Sequence, residues 1–197
     1  GTVTDPYQRV EARYKLTRYC LEQLLRYDIP VSIQTKSSLI LRDIGLSAKM
    51  SRIDVGITIT TIDDSLRRVF EPNASSIAER LHAVEELVNN GIDTWVFIGP
   101  VIPGATVDRA CHRTAEELIH TIAKTGVKKV YIDRLRLKRS TWKRMSAALS
   151  EHPILLKKLR SALWEDSTFF DDAYNTLMAL CKTSGLVYNI ASPWEDD

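Results

Sequence analysis

A chain of 197 residues suits one domain and falls short of the ~250 residues of a complete eight-unit barrel. Its 44% apolar and 26% charged residues and its net charge of +2 are ordinary for a protein that buries a full core. Three cysteines far apart, Cys20, Cys111 and Cys181, with no CxxC among them, exclude a small disulfide scaffold and a self-contained cysteine metal site. No apolar run reaches the ~18 residues of a membrane span and no basic-then-apolar leader opens the chain, so no membrane partner and a cytoplasmic setting are expected.

In chain order, Gly1–Thr4 reads as the tail of a strand, followed by a helical pattern over Val10–Tyr27. A strand over Ile29–Lys36 leads into a short helical stretch, Leu39–Met50, and then a strand over Ile53–Thr61. The pair Asp63-Asp64 reads as a helix-start cap, and Ser76 with Glu79 as a capping box opening a helix over Ser76–Asn90. Gly91 stops that helix before a strand over Ile92–Pro100. A helix over Arg109–Thr125 ends at Gly126 and feeds a strand over Val127–Leu135. A basic helical stretch, Ser140–Trp164, a helix over Phe170–Thr183 and a short strand over Leu186–Ile190 complete the chain. Strands alternating with helices in this rhythm predict an α/β fold with parallel strands. The expected form is a partial (β/α) barrel over residues 1–138, with residues 139–197 as a basic helical extension packed on it.

The strand pattern also points to a site. A buried parallel strand is normally apolar on both faces, whereas Ile53, Val55, Ile57 and Ile59 alternate with Asp54, Gly56, Thr58 and Thr60. Val31 and Ile33 likewise alternate with Ser32, Gln34 and Lys36. The apolar face is expected under the helices and the polar one inside the barrel, facing a polar ligand. The C-terminal ends of strands carry sites in such folds. Here they hold Thr4, Asp5 and Tyr7, then Lys36, then Thr60, then Pro100, then Asp133 and Arg134.

Four segments in unbroken order carry a family resemblance: GTVTDPYQRVEARYKLTRYCLE, IPVSIQTKSSLILRD, VGITITTIDDSLRRVFEPNASSIAERL and GIDTWVFIGPVIPG. Together they resemble radical S-adenosyl-L-methionine (SAM) proteins, in the DNA repair photolyase branch that is similar to spore photoproduct lyase. The resemblance implies a partial (β/α)6 barrel with a 4Fe-4S cluster that reductively cleaves SAM to a 5'-deoxyadenosyl radical. It further implies that Thr4, Asp5 and Tyr7 lie along the methionine moiety and that Lys36 reaches the carboxylate. Thr58 and Thr60 would face the ribose, and Pro100, Val101 and Ile102, read as an exposed turn, the adenine. The chemistry of these residues agrees, since an ammonium suits a carboxylate and threonine hydroxyls suit a diol. In that family a cysteine triplet binds the cluster ahead of the point where this sequence begins. Cys20 and Cys111 read as small buried residues, so the residues given are expected to hold no metal and to cleave no SAM alone.

Twelve Lys or Arg against two acids fall between Lys124 and Arg160, while the rest of the chain holds fifteen bases and twenty-three acids. A stretch so basic suits DNA or another nucleic acid, with Lys138, Arg139, Lys143 and Arg144 as candidate contacts and Trp142 and Trp164 nearby. Asp133 and Arg134 are candidate substrate contacts or a structural ion pair. Two alternatives to the radical SAM reading are a non-catalytic nucleic-acid-binding module built on residues 124–160, and an aldolase-like barrel in which Lys36 forms a Schiff base.

Overall fold

The computed structural model describes residues 4–137 and 139–191, with the backbone alone for residues 139 and 140. Five parallel strands form one sheet in the order β1 (Val31–Thr35), β2 (Ile53–Thr58), β3 (Asp93–Val101), β4 (Lys129–Arg134) and β5 (Val187–Ile190). Each strand pairs only with its neighbours in sequence, in register from Ile33 beside Val55 to Tyr131 beside Asn189. Between β3 and β4 the register shifts at Ile98–Val101 and sets Val101 beside Arg134. The architecture is an α/β sheet of the partial-barrel kind.

Helices pack against one face of the sheet. α1 (Glu11–Tyr14) and α2 (Leu16–Arg26) are separate because Lys15 between them takes a left-handed conformation, φ 54°, which breaks the single helix expected there. A 3-10 turn over Ser38–Asp43 and α3 (Ile44–Ser47) join β1 to β2. α4 (Asp64–Phe70) starts at Asp63, whose carboxylate accepts from the Ser65 and Leu66 amides. α5 (Ile77–Asn89) starts with the expected capping box: Ser76 accepts from the Glu79 amide while Glu79 accepts from the Ser76 amide at 2.7 Å. Both expected stops hold, Gly91 and Gly126 sitting at φ 72° and 82°, where a side chain is strained. After β3, residues 102–112 form a looped segment, so α6 runs Arg113–Lys124 rather than from Arg109.

The basic stretch is not one helix. α7 (Arg139–Ala148) and α8 (Pro153–Trp164) are divided where Pro153, without an amide hydrogen, takes the first turn of a new helix. Then α9 (Phe169–Thr183) leads into β5, which pairs with β4. The core lies between sheet and helices: Val55, Ile57, Ile59, Val96, Ile98, Val130 and Ile132 pack with Val84, Leu87, Leu118 and Ile122. A second cluster, including Ile102, Leu135, Leu149 and Leu159, seats α7 and α8 against the ends of β3 and β4. Cys20 and Cys111 are exposed, against expectation, and only Cys181 is buried, its thiol pushed up to about 11 by that burial. Among the described residues no helix is long and apolar enough to cross a membrane.

Candidate cofactor site

At the C-terminal end of β1 a cleft of about 580 Å³ opens between the N-terminal segment and the turn after α4, lined by Asp5, Tyr7, Arg9, Lys36, Phe70 and Glu71 among others. Asp5 builds one wall. Its carboxylate accepts from the Tyr7 amide at 2.8 Å, the Thr35 hydroxyl at 2.6 Å and the Lys36 amide at 2.7 Å. With three donors on one short side chain, Asp5 ties the N-terminal segment to the strand end and fixes the backbone of Lys36.

Tyr7 faces inward. Its ring is buried and its hydroxyl donates to Asp43 at 3.2 Å. Asp43 also accepts from Arg42 at 2.6 Å and from Arg18 at 2.8 Å, and Arg42 donates to Glu11 at 2.9 Å. Burial is the largest single influence and pushes both carboxyls up, but the bonds from Arg42, with those from Arg18 and Tyr7 to Asp43 and from the Thr17 and Arg18 amides to Glu11, together outweigh it, so Asp43 and Glu11 both lie below their ordinary values. Burial, then the Asp43 charge, drives the Tyr7 hydroxyl well above its ordinary value. A neutral Tyr7 on an ionised, arginine-clamped Asp43 makes this wall a fixed floor.

The opposite wall is electrostatic. Lys36 Nζ stands 3.9 Å from Glu71 Oε1, its side chain 37% exposed, while Glu71 is 9% exposed. Behind Glu71 lies Arg80, fully buried, with Nη2 2.7 Å from Glu71 Oε2. That approach is a charge pair rather than an aligned hydrogen bond, for both atoms lack a hydrogen-bond partner. Arg80 is held instead by donating to the Thr58 carbonyl at 2.9 Å and the Ser75 carbonyl at 2.9 Å. Thr60 donates to Glu71 at 3.5 Å. Lys36, Glu71 and Arg80 thus carry one surplus positive charge, and it sits at the exposed end.

The structure gathers Asp5, Tyr7 and Lys36 around one cleft and connects Thr60 to it through Glu71. Thr4 is exposed, and Thr58 is buried with its hydroxyl accepting from Gln34 at 3.3 Å. Pro100, Val101 and Ile102 are no exposed turn: Val101 and Ile102 are core residues and Pro100 is partly buried. Asp133 pairs with Arg136 at 2.8 Å. Lys138 and the side chain of Arg139 lie outside the described residues, and Lys143 and Arg144 are exposed on α7. Trp164, 47% exposed, stacks edge-to-face on Trp142 at 4.7 Å.

Two features escaped the sequence reading. Arg80 occupies the buried stripe of α5 that Ile77, Val84 and Leu87 define; a charge on that stripe was the available signal for a buried ion pair. The open face of the sheet is also aromatic. Trp95, Phe97 and Tyr131 stand on it, Trp95 edge-on to Tyr131 at 5.0 Å and to Phe97 at 6.4 Å. Trp95 donates to Asp54 at 2.6 Å, and Ser32 donates to the same oxygen at 2.8 Å. The alternation of Trp95, Phe97 and Gly99 with Thr94, Val96 and Ile98 was the signal.

The cleft offers an anionic ligand group one contact. A carboxylate has a half-exposed ammonium to meet, since the one described partner of Lys36 Nζ lies beyond hydrogen-bond distance. Among the described residues no three Cys, His, Asp or Glu gather where they would hold a metal.

No family model matches the chain. It is 40% identical over 103 residues to an uncharacterized protein of Methanocaldococcus jannaschii, covering 52% of this chain and 39% of that protein. It is 30% identical over 182 residues to an uncharacterized protein of Mycobacterium tuberculosis, covering 90% and 52% respectively. The chain therefore spans about half the length, or less, of these curated relatives. Among solved structures, a spore photoproduct lyase mutant with dinucleoside spore photoproduct matches with a TM-score of 0.67 at 15% identity, over 92% of this chain and 59% of that one. Streptococcus suis SuiB bound to S-adenosylmethionine matches with a TM-score of 0.62 at 12% identity, over 95% and 37%. The fold of this chain is the one that spore photoproduct lyase and SuiB share.

Proposed function

We propose that these residues form the SAM-binding wall of a radical SAM enzyme, with the cleft at the end of β1 receiving the methionyl end of the cofactor. The observation that carries the reading is the surplus charge at Lys36, set at the C-terminal rim of a sheet whose structural neighbour SuiB is bound to SAM. Bound SAM supplies hydrogen-abstraction chemistry once a cluster delivers an electron, and the cluster ligands would come from outside the described residues. The residues here bind and orient. Lys36 meets the carboxylate as a compact donor, Asp5 holds the strand end on which Lys36 rides, and Thr60 lies beside the inner face. The open face, with Trp95, Phe97 and Tyr131, offers a planar substrate an apolar surface. A Schiff base at Lys36 is disfavoured, since its 37% exposure denies it the dry pocket such a lysine needs.

The test is equilibrium dialysis of radiolabelled SAM against the chain. Saturable binding is expected, with Lys36→Met weakening it at least tenfold, the loss of about 1.4 kcal/mol or more expected of a charge-assisted contact. Binding that is absent, or indifferent to Lys36→Met, overturns the reading.

Nucleic acid is the proposed substrate class. The exposed Lys143, Arg144, Lys157 and Arg160 and the half-exposed Trp164 support it, as does the dinucleoside in the related structure. Phosphate contacts make such affinity fall steeply with salt. Duplex DNA binding that is salt-sensitive and at least threefold weaker in Lys143→Gln/Arg144→Gln is expected; salt-independent binding overturns it.

A further inference from the structure

Lys36 is long and half-exposed, and an unrestrained lysine loses up to ~2 kcal/mol of rotamer freedom when a ligand fixes it. The structure fixes its backbone and sets an anion beside its side chain. The Ser75 amide donates to the Lys36 carbonyl at 3.1 Å, and Ser75 also accepts from the Ser38 amide at 2.9 Å, so the turn after α4 is stitched to the end of β1. The same turn is pinned by the buried Arg67, which donates to the carbonyls of Glu71 and Ala74, each at 3.1 Å, and to Asp64 at 2.9 Å. Glu71 is thereby set at a fixed place. Its inner oxygen faces the buried Arg80 guanidinium at 2.7 Å, and its outer oxygen faces the Lys36 ammonium at 3.9 Å.

We propose that Glu71 is a positioning residue for Lys36, aiming the ammonium into the cleft for a ligand carboxylate. The inference rests on the cofactor reading above for the identity of the ligand, but not for the Glu71–Lys36 contact itself. Arg80 offsets the charge of Glu71 from behind, so an approaching carboxylate meets the ammonium without a net opposing charge. The 3.9 Å gap is short enough to hold direction and too long for a hydrogen bond that would have to break on binding. Without Arg80, Glu71 would repel the ligand; without Glu71, Lys36 would point anywhere.

Glu71→Asp separates aim from charge. The shorter side chain keeps a carboxylate for Arg80 but withdraws it from Lys36. Two readouts apply to the whole chain. Competitive labelling with acetic anhydride, followed by mass spectrometry, reports the reactivity of Lys36 with the other lysines as internal standards. Equilibrium dialysis compares SAM with methylthioadenosine, which lacks the carboxylate. In Glu71→Asp, Lys36 should label at least twofold faster and SAM should bind about fivefold more weakly, as expected for a partly exposed pair. Methylthioadenosine affinity should stay unchanged, and Glu71→Asp should have no further effect on SAM in a Lys36→Met background. Glu71→Gln should accelerate Lys36 labelling as well; if that variant fails to fold, Glu71→Asp alone decides. Unchanged Lys36 labelling, or parallel loss of both ligands, overturns the proposal. A wild-type chain that binds neither ligand defeats the cofactor reading, and faster labelling in Glu71→Asp would then still support the positioning.

Discussion

Along β2 and the two residues after it, Val55, Ile57 and Ile59 point into the helices and are fully buried, while Asp54, Thr58 and Thr60 alternate with them. The side chains of the first set lie in the hydrophobic core, and those of the second are joined by hydrogen bonds to Ser32, Trp95, Gln34 and Glu71. Burial is similar on the two faces near the strand's C-terminal end, yet the chemistry is opposite. Burial alone therefore does not identify a structural face. A face built for stability uses groups that need no partner, and a face built for a ligand uses polar groups held in place until one arrives.

The largest effect should come from the helix face. Ile57→Ala removes a fully buried side chain and is expected to cost about 2–5 kcal/mol in urea unfolding, whereas Gln34→Ala on the exposed part of the open face should cost less than about 0.5 kcal/mol. Equal losses would erase the contrast. Next comes Gly56, where an added Cβ would fall 2.3 Å from the Trp95 ring. Gly56→Ala should displace the indole from Asp54, cost about 1–3 kcal/mol, and shift tryptophan emission to the red. An unshifted spectrum would mean that the aromatic surface does not depend on that gap.

The smallest effect is in acid. Asp43 and Glu11 lie below their ordinary values of 3.8 and 4.5, so they hold stability above those values that drains as pH falls through the lower, folded ones. The wild-type chain should lose stability as the pH drops below about 4. Asp43→Asn should be less stable near neutrality and show a shallower acid limb in pH-dependent unfolding. Identical limbs would remove the arginine-clamped floor of the cleft as a source of that stability.

Much of this arrangement was legible because it is local. Alternation along Ile53–Thr61 placed each side chain on its face, and Ser76 with Glu79, Gly91 and Gly126 marked the ends of helices. What stayed hidden depended on distant partners. Nothing near Asp5 says that it closes on Thr35 and Lys36, which lie 30 and 31 residues away. Nothing near Tyr7 says that its hydroxyl is taken by Asp43. The segment at Pro100 read as an open turn, but β3 continues to Val101, and Val101 and Ile102 are buried. Pro153 announced the break between α7 and α8, although the basic composition of the stretch suggested continuity.

The sheet order has a consequence for how the chain is made. Because each strand pairs with the one before it, a ribosome delivers β2 to a finished β1, then β3 to a finished β2, and onward to β5. None of the described strands has to wait for a later one to arrive between it and its neighbour, so synthesis and assembly advance in the same direction.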